Sequence, residues 1–394
     1  MPSSDRPGWR KCISAGLLIN LSVCMPVFAK EPNDTPWIER YPHLNERLNA
    51  WMETVNEWAG NAQDEISQYD ALFAAVKHHA GRYWEDVKLS QPKQLVTYSD
   101  NYQSRTELDF DKGRIVVETI KGEHSLDELK HLIRDAIAVP AEGDPEQLSD
   151  HKGQGSMPTL LDGQIVDQDG ETVRYAWRTQ RYADWLVEHR LQERHQDDGT
   201  MIYRVEVPLV RDHLRVRGEK FEAMVRAASQ RHDVPEPLIY AIIATESSFN
   251  PYAISHVPAY GLMQVVPKTA GADVFHRVYR RSGQPGRRFL FDPAKNIDVG
   301  TAYLSLLDHV YLKNIHNPQS RRWCIIAAYN GGAGNVFAAF GRHQAEAIAR
   351  INALTPRQVF QYLHRHHPAL ETRRYVQKVG EARRRYRTLA QSRG

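Results

Sequence analysis

The sequence predicts an α+β multidomain protein, in which a helical and antiparallel-sheet region comes first and an all-α domain follows. Three observations carry this. Runs of β-branched and aromatic residues are confined to residues 95–210, three- and four-residue apolar steps dominate from residue 211 onward, and one amphipathic helix sits among the strands. With 394 residues the chain is long enough for two domains with sizeable cores.

The chain opens on an export pattern. Arg6, Arg10 and Lys11 precede the apolar run ISAGLLINLSV, and Val27 and Ala29 place small residues where a signal peptidase cuts, so residues 1–29 read as a signal peptide. A buried core helix is the bland account of this run, but the cationic flank and Val-x-Ala favour export. LSVC also sets Leu21 three residues before Cys24, as in lipoprotein signals, although Val23 is bulkier than the residue such signals usually carry.

The mature chain divides into an N-terminal α+β domain, 30–210, and a C-terminal helical domain, 211–394. Residues 38–90 begin it as helix, with Leu44, Leu48, Trp51, Val55 and Trp58 at helical steps. Past Gln91-Pro92, the runs LVTYS, TELDF, RIVVETI and MIYRVEVPLV read as strands, with Asp111-Lys112-Gly113 as a turn. SLDELKHLIRDAI reads as a helix opening on a Ser125/Glu128 capping box. The simplest assembly is a helix packed on an antiparallel sheet. DQDGET starts like a calcium loop but lacks the later ligands and closing Glu, so it reads as a β-turn between GQIV and TVRYAW.

In the helical domain, Phe221, Met224, Val225 and Ala228 mark one helix, and Val299, Ala302, Tyr303, Leu306, Leu307 and Val310 another. Thr355-Pro356 starts a third, whose inner stripe is Val359, Phe360 and Leu363.

Lys and Arg number 51 against 48 Asp and Glu, a net +3 that calls for no polyanionic partner; nucleic acid does not suit an exported chain. The basic run 371–394 reads as a solvated helix face, with anionic wall polymer or lipid head groups as the sharper alternative. Cleavage after Ala29 leaves Cys324 alone, in the apolar pattern WCIIAAYN, where packing is its expected role. His364, His366 and His367 of HRHH are expected to be solvated at a helix end, and no carboxylate pattern makes them a metal site. No cofactor is implied. The sequence sets no oligomeric state.

Chemistry concentrates in PLIYAIIATESSFN. Leu238, Ile242, Glu246 and Phe249 share one face of an apolar helix, and both burial and the negative end of the helix dipole disfavour an ionised Glu246. Such an acid can donate a proton near neutral pH, while a locally paired structural Glu is the plain alternative. Asn250-Pro251 is expected to end the helix. YGLMQVVP then offers a tight turn at Gly261 and a neutral amide at Gln264, and AAYNGGAGNV places Tyr329 and Asn330 before a glycine-rich turn. Aromatic faces and amides suit sugars.

The set ESSFNPYAIS, GLMQVVP, AAYNGG and ETRRY, in this order, resembles the soluble lytic transglycosylase catalytic domain across about residues 211–390. The segments YSDNYQSRTELDFDKGRIVVETI and FLFDPAKNIDVGTAYL resemble the membrane-bound lytic murein transglycosylases, extending the likeness over most of the mature chain. The resemblance implies a lysozyme-like catalytic fold and cleavage of the β-1,4 bond between N-acetylmuramic acid and N-acetylglucosamine in peptidoglycan, without water, leaving 1,6-anhydro ends. It makes Glu246 the single acid/base, sets Ser255 and Gln264 against the muramoyl sugar, lines the site with Tyr329 and Asn330, and completes it with Glu371 and Tyr375. The partners implied are peptidoglycan glycan strands, and the place is the periplasm, with outer-membrane association if Cys24 is lipidated.

Overall fold

Alternation of aliphatic and polar residues builds the sheet. Strands β1 (Gln94–Tyr98), β2 (Ser104–Asp109), β3 (Arg114–Thr119), β4 (Gln192–His195) and β5 (Met201–Pro208) pair antiparallel in the order β1-β2-β3-β5-β4. Leu95 faces Leu108, Leu108 faces Ile115, and Ile115 faces Val207, so one register gives one aliphatic face. That face buries Leu129 and Ile133 of α1 (Ser125–Ile137) and Tyr182, Leu186 and Val187 of α2 (Ala176–Arg190). The other face carries charges, with Arg105 opposite Glu118. The structure is a computed structural model that describes residues 73–99, 101–122, 124–141 and 159–391, without the side chains of 388–391. The signal pattern, Cys24 and the helical pattern from Leu44 to Trp58 lie outside the described residues.

Two local expectations meet different ends. DQDGET is a turn: Asp167 N–H donates to the Glu171 carbonyl, Gly170 takes φ +80°, and the Asp167 carboxylate accepts from the N–H groups of Asp169 and Glu171. The Ser125/Glu128 capping box does not form. Ser125 is already the first helical residue and its hydroxyl donates to the Gly122 carbonyl, 2.9 Å away, while Glu128 pairs with Lys121 at 2.9 Å.

The second half is helical: α3 (His213–Glu219), α4 (Glu222–His232), α5 (Glu236–Glu246), α6 (Ala272–Arg277), α7 (Arg287–Leu290), α8 (Pro293–Leu306), α9 (Pro318–Gly331), α10 (Ala333–Phe340), α11 (Gln344–Ala353), α12 (Pro356–His366) and α13 (Leu370–Gln391). The stripe expected to run to Val310 continues α8 as a π turn, Leu307–Tyr311. At α12, Thr355 and Gln358 form a reciprocal capping box ahead of Pro356. Helix α5 is the core element, with Leu238, Ile239, Ala241, Ile242 and Ile243 all buried, and α13 runs along it. Cys324 is fully buried in α9, where desolvation pushes its thiol well up.

Two expectations are corrected here. Helix α5 ends at Glu246 rather than at Asn250, because Ser248 and Phe249 take φ of +50° and +62°. Phe249 therefore leaves the Leu238/Ile242/Glu246 face and packs against Phe221 and Tyr386. His367 is not solvated but fully buried: the chain reverses at Pro368 into α13 and tucks the ring beneath Gly331, where an added methyl would lie 2.8 Å from His367 Cε1.

Candidate active site

Glu246 is the last residue of α5, so its carboxyl leaves the helix at the edge of the core. Part of the residue stays accessible while the protein around it strips water from the carboxyl. The Tyr375 hydroxyl, on α13, donates to Glu246 Oε1 at 2.7 Å. Among the described residues no ion pair reaches Glu246. Burial is the main cause that raises its pKa, to about 7; the Tyr375 hydrogen bond pulls it down, the Glu371 charge pushes it up and Lys93 pulls it down. Both Tyr375 and Tyr329 are held well above the ordinary tyrosine range, first by burial and then by the nearby Glu246 charge.

The loop that follows is built around a buried asparagine. Asn296, on α8, donates to the carbonyls of Tyr260 (2.7 Å) and Leu290 (2.8 Å) and accepts from the Met263 N–H at 2.8 Å. Gly261 lies against it at φ +70°, and a methyl there would come within 2.5 Å of Asn296 Nδ2. Only glycine meets both demands. Gln264, at φ +47°, donates through Nε2 to the carbonyls of Ala253 (3.0 Å) and Gly261 (3.1 Å). Ser255 sits in the same loop, with its N–H on the Ala259 carbonyl at 3.2 Å and its hydroxyl on the Val257 carbonyl.

From the opposite side, Tyr329 of α9 donates to the Met263 carbonyl at 2.9 Å. Asn330 donates to Glu371 Oε1 at 3.3 Å and accepts from the Thr372 hydroxyl at 2.6 Å. Thus Glu246 touches Tyr375 directly, Asn330 touches Glu371, and the charges of Glu371 and Tyr329 are felt by or feel Glu246. Ser255 makes no direct bond to this group. Sequence reasoning missed Asn296 and Thr372, whose buried polar roles depend on partners distant in the chain; it named Glu371 only through the likeness of ETRRY to a known family. Glu371 is a second acid whose charge reaches Glu246.

Among the described residues no three His, Cys, Asp or Glu side chains cluster as metal ligands, and no helix is long and apolar enough to cross a membrane. A separate cavity of about 420 Å³, lined by Arg231, Tyr279, Arg281, Phe289, Lys295 and Asp298, shares no residue with the Glu246 group.

A desolvated carboxyl at a helix end, hydrogen-bonded by a tyrosine, is the kind of group that acid–base enzymes use. Comparison narrows the class. Residues 62–220 match the model of the membrane-bound lytic murein transglycosylase C N-terminal domain, and residues 223–352 match that of the transglycosylase SLT domain. The chain is 44% identical to membrane-bound lytic murein transglycosylase C of Klebsiella pneumoniae (strain 342), over 86% of this chain and 91% of that protein. The enzyme of the same name from Shigella sonnei is also 44% identical, over 85% and 93%. The chain belongs to the membrane-bound lytic murein transglycosylase C family, with an antiparallel-sheet domain followed by a helical, lysozyme-like SLT domain. Among solved structures, the 70 kDa soluble lytic transglycosylase of Escherichia coli is 28% identical with a TM-score of 0.36, covering 45% of this chain and 26% of that one. Its complex with bulgecin A gives 26% and 0.36 over the same shares. This chain spans about a quarter of their length.

Proposed function

We propose that this protein is a lyase of peptidoglycan glycan strands, cutting the β-1,4 bond between N-acetylmuramic acid and N-acetylglucosamine with Glu246 as its acid and base. The observation that supports this most is a partly accessible carboxyl with a pKa near 7, held by Tyr375 and, among the described residues, in no ion pair. Protonated Glu246 gives its proton to the glycosidic oxygen as the C1–O bond breaks. The substrate's N-acetyl carbonyl stabilises C1. The Glu246 carboxylate then takes the proton of the C6 hydroxyl, whose oxygen bonds to C1 and closes the 1,6-anhydro ring. No water is consumed, and Glu246 ends protonated as it began.

The remaining roles follow from what each group has left to offer. Gln264 has both amide-proton bonds turned into its loop, so Oε1 remains to accept from a sugar hydroxyl or N-acetyl N–H. Ser255 edges the muramoyl position from the same loop. Tyr329, its hydroxyl engaged with Met263, offers its ring, and Asn330 sets Glu371 while Tyr375 sets Glu246. Residues 30–210 and 211–394 are the two domains in this reading. The pattern of residues 1–29 sends the protein to the periplasm, and acylation of Cys24 would attach it to the outer membrane's periplasmic face. Fractionating cells that express Cys24→Ala tests that last step: release from the membrane establishes the anchor.

One observation favours a second reading. Retaining glycosidases hold two carboxyls about 5–5.5 Å apart and inverting ones a wider pair with water between them, and the Glu371 charge does reach Glu246. A hydrolase using Glu371 to hold water would leave reducing ends. Mass spectrometry of digested peptidoglycan separates the two: anhydromuramoyl products, lighter by one water, support the lyase, and reducing ends support the hydrolase.

A further inference from the structure

Of the two positive-φ residues that break helix α5 after Glu246, Ser248 is held in part from the other half of the molecule, while Phe249 packs on Phe221 and Tyr386 of the helical half. Ser248 and Phe249 are consecutive non-glycine residues at positive φ, a conformation that persists only where surroundings impose it. Ser248 is gripped at its hydroxyl and its carbonyl. Its hydroxyl donates to Asp111 Oδ1 at 2.8 Å, and Asp111 pairs with Lys93 Nζ at 3.1 Å; both residues belong to the sheet half. Its carbonyl accepts from Arg217 Nη1 at 2.7 Å. Arg217 is fully buried without a carboxylate partner; it also donates to the Phe110 carbonyl at 3.1 Å and to Gln164 Oε1 at 3.0 Å. Two residues on, Asn250 donates to the Pro92 carbonyl at 3.0 Å, and the Tyr252 hydroxyl to the Pro140 carbonyl at 2.8 Å. Every one of these partners except Arg217 precedes residue 211.

Such a grip has a geometric consequence. A carboxyl at the last residue of a helix is aimed by the helix on one side and by the following turn on the other. Here the turn adopts a shape that its own residues disfavour, and the β2–β3 turn with the segment before β1 supplies the bonds that offset this. We propose that the Asp111–Ser248 contact, backed by Lys93 and Arg217, makes the sheet half a working part of the reaction: these are positioning residues that keep the Glu246 carboxyl aligned for proton transfer. The proposal rests on the reading of Glu246 as the acid. It assigns the upstream domain a role inside the chemical step, beyond placing the enzyme on its substrate.

The test uses the full mature chain on purified peptidoglycan, with Asp111→Ala, Asp111→Asn, Ser248→Gly, the double variant Asp111→Ala/Ser248→Gly, and Glu246→Gln beside them. Glycine suits the positive φ at 248, so the loss of the hydroxyl is not confounded by backbone strain. Asparagine keeps an acceptor for Ser248. The expected result is a five- to tenfold fall in kcat for Asp111→Ala and for Ser248→Gly, KM within twofold, thermal midpoints near wild type, and a double variant no worse than about twofold below the weaker single, since one contact is lost once. Asp111→Asn should recover most of the rate. Wild-type kcat in both singles, or losses that multiply in the double, or losses that follow the unfolded fraction, would overturn the proposal while leaving an inactive Glu246→Gln, and so the acid assignment, intact. An active Glu246→Gln would remove both.

Discussion

Two glutamates, one from each half of this molecule, are stripped of water by the protein around them and have opposite fates. Glu118, on the charged face of the sheet, is 2% exposed, and Arg105 Nε approaches its Oε2 at 2.6 Å with Lys88 at 3.3 Å. Arg105 is itself buried, bonded to Asp86 at 2.9 Å and lying 4.0 Å over the Trp84 ring. Burial pushes the Glu118 pKa up, but the Arg105 charge, helped by Lys88 and Arg194, more than reverses this and holds it below the usual range. Glu246 suffers the same desolvation with a single neutral donor, and its pKa rises to about 7. Whether a desolvated acid stays ionised is decided here by the presence of a cation at hydrogen-bond distance, not by burial.

The largest expected effect sets the reactive acid apart. Glu246→Gln keeps the shape and the Tyr375 contact but has no proton to give, so cleavage should fall by about 10²–10⁴, the usual range for a general acid. Glycan binding should persist. Sedimentation of the variant with insoluble peptidoglycan, beside a turnover assay, checks both halves of the statement, and substantial turnover would move the acid elsewhere. Glu118→Gln is the counterpart. It leaves Arg105 with a buried, half-paired charge, and should cost about 3–5 kcal/mol of stability, read by urea unfolding, while kcat per folded molecule stays at the wild-type value.

The same two acids should also bend stability in opposite directions with pH. For Glu118 the folded pKa lies below the unfolded one, so its contribution is present above the unfolded value and is lost as pH falls through the folded value. For Glu246 the folded pKa lies above the unfolded value near 4.5, so the native state is penalised as pH rises from about 4.5 to about 7, and the penalty is constant beyond that. At about 1.4 kcal/mol per pKa unit, and allowing for the accessible part of the residue, the cost reaches about 2–3 kcal/mol. Glu246→Gln should therefore melt above wild type at pH 8 and together with it at pH 4. A variant no more stable at pH 8 would mean that the carboxyl is better solvated than its surroundings indicate.

How much of this contrast was readable in the sequence depends on the distance over which each feature is encoded. Strands β1, β2, β3 and β5, the Thr355 cap and the apolar run of α5 are local patterns, and each appears where the pattern lies, whereas the exposed strand β4 carried no such pattern. Glu246 stood out because its neighbours in the chain are apolar. Its tyrosine partner is 129 positions away, and its placement came from the likeness of ETRRY to a known family rather than from any spacing rule. Asn296 and the Asp111–Ser248 contact carried no local signal, since a buried polar group is legible only once its partner is in place. The early end of α5 and the burial of His367 failed for a related reason. Both are imposed by tertiary packing, on residues whose own preferences point to a longer helix and to water.

The smallest effects bear most directly on what tunes the reactive acid. The groups that face Glu246 are Tyr375 and Glu371 from α13, Tyr329 from α9, and Lys93 from the segment before β1. Glu371 raises the Glu246 pKa and Lys93 lowers it. In the proposed mechanism the reaction begins from protonated Glu246, so kcat/KM should fall as pH rises through the pKa of the free enzyme, near 7. Removing a negative neighbour makes ionisation easier, and Glu371→Gln should move that limb to lower pH. Removing a positive one does the reverse, and Lys93→Met should move it to higher pH. Each displacement should be a few tenths of a unit at low salt and shrink as salt is added, because both charges act at a distance on a partly accessible residue. Opposite displacements would show that the sheet half and α13 set the acid's poise from two sides. Limbs that move together, or not at all, would leave desolvation by the core as the sole cause of the raised pKa.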